Sequence, residues 1–144
     1  MRTLIIAAIF ALAMSPAFAQ KAPPEDALAP PSPEDAVHVG VAQGGEVIKA
    51  SVGQKIAIEL VSTPSAGLSW LVAEKPDFLG APMFKTGPLI EAQTQGGFTG
   101  GDRWQVYVLD VKAAGTGEVK LDQKSAADRA GPPVASFSVT IEAQ

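Results

Sequence analysis

The chain contains no cysteine, no asparagine and a single histidine, His38. The absence of cysteine excludes a disulfide framework, a Cys-ligated zinc site, a thiol nucleophile and a lipid-modified cysteine near the N-terminus. A lone histidine leaves no cluster for a catalytic metal. Positive charge is also scarce: 11 Lys and Arg face 15 Asp and Glu, with a pI near 4.9, so nothing draws the chain to nucleic acid. Charged residues are only 18% and hydrophobic residues 47%, which specifies a globular chain rather than a disordered one. At 144 residues, one domain is expected. With most catalytic parts missing, a binding module is expected rather than an enzyme, with no cofactor and no metal.

What is present begins with a leader. Arg2 precedes an unbroken apolar run, Leu4 to Met14, and Ala17-Phe18-Ala19 has the small-x-small pattern of a cleavage site. As a helix, those 11 residues would rise only ~16 Å, about half of a ~30 Å hydrocarbon core. Residues 1–19 are therefore read as a signal peptide, the alternative being an uncleaved anchor. Removal would leave 125 residues, Gln20–Gln144, with a net charge of −5 and no membrane segment. The expected location is the periplasm or the exterior of the cell.

Residues 20–36 hold five of the twelve prolines and four carboxylates. Proline fixes φ and removes a donor, so this segment is read as a disordered, extended linker. A Pro-rich ligand for a partner is the alternative.

Residues 37–144 read as strands. Alternation runs through Val37–Val41, Val47–Val52, Lys55–Leu60, Ser69–Glu74, Glu118–Asp122 and Ser136–Ile141, with a weaker stretch at Phe78–Phe84. Trp104–Val111 is apolar on both faces; a bulge near Val108 or two-sided burial would account for it. Short alternating segments separated by Gly, Pro and Ser predict an all-β, immunoglobulin-like antiparallel β-sandwich with Greek-key connections. Trp70 and Trp104 are expected in its core. His38 is expected to be exposed and inert, and Asp102, Asp110, Asp122 and Asp128 to be scattered and solvated.

Three inter-strand segments are distinctive: Ser62–Gly67, Gly96–Gly101 and Lys124–Val134. Greek-key connectivity would gather them at one end. Here the chain resembles the chagasin-like inhibitors of papain-family cysteine proteases, small immunoglobulin-like sandwiches that wedge three loops into the protease cleft. The family's first loop, Asn-Pro-Thr-Thr-Gly, is matched by Thr63-Pro64-Ser65-Ala66-Gly67, followed by Leu68-Ser69-Trp70. Its Gly-x-Gly-Gly is matched by Phe98-Thr99-Gly100-Gly101, with Phe98 in place of the first Gly. Val111–Thr116 and Phe137–Ile141 fit the later strands, so the similarity spans roughly Val37 to Ala143. The third loop departs: where the family carries Arg-Pro-Trp, counting along the strand lands on Ser125-Ala126-Ala127. Because Trp and Arg commonly dominate interface energies, this departure implies weaker inhibition, another target or none.

The loop residues also bear on function without the resemblance. Pro64 restricts the first loop, Gly67 permits positive φ at its exit, and Ser65 and Ala66 are small enough to enter a narrow cleft. Gly100 and Gly101 allow close backbone approach. Phosphate binding at the Gly-rich segment would need a following helix, whereas a strand follows. Each loop also has a plain reading as a connection. The expectation is an exported monomer that blocks a papain-like cysteine protease, its partner, sterically. The alternative is a non-inhibitory immunoglobulin-like binding module of the cell envelope.

Overall fold

A computed structural model describes residues 29–89 and 102–144. The leader, the start of the linker, and Phe98, Thr99, Gly100 and Gly101 lie outside the described residues. The described chain forms eight strands: β1 (Val37–Val39), β2 (Val47–Ala50), β3 (Lys55–Ser62), β4 (Leu68–Glu74), β5 (Met83–Leu89), β6 (Arg103–Asp110), β7 (Gly115–Ser125) and β8 (Ala135–Ala143). They make two four-stranded sheets, ordered β1-β3-β6-β5 and β2-β8-β7-β4. The connections β3–β4, β4–β5 and β6–β7 all pass from one sheet to the other. An all-β sandwich is the result.

The sheets are mixed rather than purely antiparallel. β1 runs parallel to β3, and β2 runs parallel to β8. The cause is local: the first extended segment breaks after Val39 into a 3-10 turn at Val41–Gln43 and continues on the opposite sheet.

Alternation explains the core. Ile56, Ile58 and Leu60 of β3, Tyr107 and Leu109 of β6, Val119 and Leu121 of β7, and Phe137, Val139 and Ile141 of β8 meet between the sheets. Their polar neighbours in β8, Ser138 and Thr140, stay partly exposed. Burying large apolar side chains at ~1.5–3 kcal/mol each is what holds a cysteine-free domain of this size.

β6 is buried on both faces and has no bulge. Its register with β3 is continuous from Lys55/Asp110 to Ser62/Arg103. The residues Trp104, Val106 and Val108 point away from the inter-sheet core and join a second apolar cluster with Ala57, Val61 and Ala36. Trp70 and Trp104 are both buried, but only Trp70 lies between the sheets. The irregularity falls instead in the neighbouring strand, between Thr86 and Leu89 of β5. There Gly87 lies so close to Trp104 and Pro31 that a Cβ would stand 2.6 Å from the Trp104 Cβ and 2.9 Å from the Pro31 ring. The last linker residues thus pack on this outer face, and Ala36 is buried.

The weak stretch Phe78–Phe84 is not a strand over its length. Leu79 makes an isolated bridge to Val111, and the strand proper begins at Met83, after Pro82. Proline cannot donate to a ladder, and Pro76 and Pro82 confine this region to turns.

Candidate functional site

Strand direction places the loops. β3 ends and β4 begins at the same end of the sandwich where β7 ends and β8 begins. Leu89 and Arg103, the strand residues that flank the second segment, also pair with each other there. The first and third loops meet directly, since Leu68 is paired with Ser125.

The first loop is a built turn. Pro64–Ala66 form one turn of 3-10 helix with proline at its first position, where its missing N–H costs nothing. Ala66 N–H donates to the Thr63 carbonyl at 3.1 Å, and Gly67 N–H donates to the Pro64 carbonyl at 2.9 Å. Gly67 then takes φ 71°, ψ 18°, the left-handed conformation, and turns the chain into β4. Pro64, Ser65 and Ala66 project as the exposed tip.

Two further bonds anchor this turn, one to each sheet. Thr63 Oγ1 donates to Asp102 Oδ1 at 2.7 Å, just before β6. Ala126 N–H donates to the Gly67 carbonyl at 2.7 Å, just after β7. Asp102 is thus a buried structural carboxylate, 8% exposed, and not the solvated one expected from its scattered position. His38 is likewise not isolated: it is exposed but its Nδ1 pairs with Glu59 Oε1. Asp122 accepts from Ser136 Oγ at 2.9 Å.

The third loop starts later than expected. Ser125 is the last residue of β7, and Ala126-Ala127 form the turn that returns Asp128 to a bridge with Ser125. Lys124 Nζ donates to the Arg129 carbonyl at 3.1 Å and steadies the turn. A proline at position 126 would delete the N–H that reaches Gly67, so the local geometry is incompatible with Arg-Pro-Trp at 125–127.

Beneath the loops lies a polar clamp that the apolar pattern of β6 concealed. Gln105, 3% exposed, crosses between the sheets. Its Oε1 accepts from Trp70 N–H at 2.8 Å, and its Nε2 donates to Ser69 Oγ at 2.9 Å and to the Trp70 carbonyl at 3.1 Å. Tyr107 Oη donates to the same carbonyl at 2.7 Å, and Trp70 Nε1 donates to the Val61 carbonyl at 2.9 Å. Burial pushes the Tyr107 phenol above its ordinary pKa. β4 is an edge strand, and this clamp occupies backbone groups that an edge would otherwise offer to another chain.

Among the described residues, no group of three or more His, Cys, Asp or Glu could hold a metal ion. No helix there is long and apolar enough to cross a membrane.

Fold and loop end together define an immunoglobulin-like β-sandwich with a rigid turn presented at one end. This architecture is similar to that of the cysteine protease inhibitor EhICP2 from Entamoeba histolytica. The two are 18% identical, with a TM-score of 0.65, over 78% of this chain and 100% of that one. It is also similar to the solution structure of amebosin, at 16% identity and a TM-score of 0.55, over 76% of this chain and 98% of that one. At these identities the likeness is one of fold. No protein-family model matches the sequence, and no curated protein matches it.

Proposed function

We propose that the protein is an exported inhibitor of papain-family cysteine proteases that blocks the active-site cleft with the loop end of its sandwich. The observation that carries this reading is the first loop: an exposed Pro-Ser-Ala tip held by hydrogen bonds to both sheets. Such a turn enters a cleft with little further loss of entropy. The fold shared with a cysteine protease inhibitor supports the same reading. The mechanism is occlusion: the partner supplies the reactive cysteine, and this chain supplies shape without chemistry. The signal-peptide pattern of residues 1–19 supports an encounter in the periplasm or outside the cell, and we propose that the inhibitor acts there as a monomer.

The test is inhibition of a panel of papain-like enzymes by the full-length protein. Reversible, competitive inhibition that is lost when Ser65 and Ala66 are both replaced by bulky Trp is expected. Full protease activity across the panel at high micromolar protein overturns the proposal. The third loop favours a second reading, since Ala126 and Ala127 offer no flat aromatic or cationic contact. On that reading the sandwich is a non-inhibitory module that binds another envelope protein. Recovery of a loop-dependent, non-protease partner from the producing cell's envelope would support it.

A further inference from the structure

Between the edge strands β4 and β5, just under the first loop, the two sheets part to leave an open cavity of about 390 Å³. Arg103 lies on its floor, on the face of β6 that lower down carries Gln105, Tyr107 and Leu109 into the core. Phe84 and Leu68 form apolar walls, and Ser62, Ser69 and Thr86 bring hydroxyls. Phe84 is 52% exposed, although its ring packs against Tyr107 with centroids 5.3 Å apart.

Among the described residues, no carboxylate lines this cavity. The adjacent Asp102 is turned to Thr63, and the Gln105 amide is committed to Ser69 and Trp70. Among the described residues Arg103 has no ion-pair partner. A half-buried guanidinium with no counter-charge among the described residues, beside an exposed ring, is an arrangement that a bound carboxylate on a short apolar stem completes. Lys124 and Arg129 also lie toward the loop end, where Asp102 and Asp128 stand as well.

We infer that this cavity receives an acidic side chain, Asp or Glu, of the protein that docks on the loop end. The carboxylate pairs with the Arg103 guanidinium and accepts from Thr86 or Ser62, while its stem lies on Phe84. The inference deepens the inhibitor reading by giving the edge a cationic contact drawn from the start of β6, beside the uncharged Ala126-Ala127 turn.

Two measurements on the full-length protein separate this inference from the reading it rests on. The first is an NMR titration with N-acetyl-glutamate and, in parallel, with N-acetyl-glutamine. It follows the Arg103 Nε–Hε and Phe84 ring signals. Saturable shifts with the glutamate only, abolished in Arg103→Gln, are expected; equal or absent shifts overturn the site. The second is inhibition of papain. Arg103→Gln is expected to raise the inhibition constant about tenfold and to flatten its salt dependence, with Arg103→Lys intermediate. Inhibition that is unchanged in Arg103→Gln, with melting also unchanged, overturns the inference and leaves the inhibitor reading standing. A glutamate-specific titration in a protein that inhibits no papain-like enzyme removes the inhibitor reading and keeps the carboxylate site.

Discussion

Gly67 carries a conformation that L side chains resist, and open space around its Cα makes it a clean test. A Cβ there would meet only Ala126 Cβ at 3.9 Å, so Gly67→Ala should cost about 1 kcal/mol from backbone strain alone. Urea denaturation would read that as a lower midpoint with an unchanged slope. The positive φ was legible in the sequence, because a glycine at the exit of a Pro-Ser-Ala turn has one obvious use. Asp102 was not legible. Its partner Thr63 is 39 positions away, and a lone acidic residue in a polar stretch looks like any solvated one. Thr63→Val should destabilise the protein by about 1–2 kcal/mol, because it removes a donor from a buried carboxylate. Ala127→Trp makes the complementary test, since it adds a flat aromatic to the third loop while keeping the Ala126 N–H on Gly67. The expected outcome is tighter inhibition of papain with unchanged melting.

At the scale of elements, β6 was legible as a strand but not in its detail. Periodicity showed apolar residues on both faces; it did not show that one face meets the opposite sheet and the other a second cluster that includes Ala36. Nor did it separate Gln105 from surface polar residues, since its hydrogen bonds all lead to β4, some 35 positions earlier. Replacing Gln105 with Leu leaves the Trp70 N–H unsatisfied in the interior, with an expected loss of about 1–3 kcal/mol. Tyr107 adds a pH dependence. Its phenol is neutral when bonded to Trp70, and burial raises its pKa in the folded state. The folded protein therefore holds this proton more tightly than the unfolded chain does. The associated stability is complete below the ordinary tyrosine pKa of about 10 and is lost as pH rises beyond it. Chemical denaturation between neutral pH and pH 11 should show that decline, and Tyr107→Phe should lessen its slope.

For the whole molecule, the sandwich was legible because alternation and turn residues agreed along most of the chain. The parallel pairs at β1 and β2 were not, because pairing direction leaves no mark on a three- or four-residue segment. The start of the folded unit was also hard to see. Pro31 and Ala36 look like linker, yet they lie against Gly87 and in the outer cluster of β3 and β6. A chain beginning at Val37 should accordingly melt several degrees below one beginning at Ala29. The first loop, finally, bridges the two sheets and is stapled to a neighbouring strand in each, through Asp102 and through Ala126. That makes it a poor donor for transplantation. A synthetic peptide of residues 62–68, or a graft of them onto another scaffold, would leave both staples behind. A transferable version has to carry the start of β6 and the end of β7 with it. For the same reason, a library that diversifies the third loop and admits proline at position 126 will cut the first loop's tie to β7 without touching its sequence.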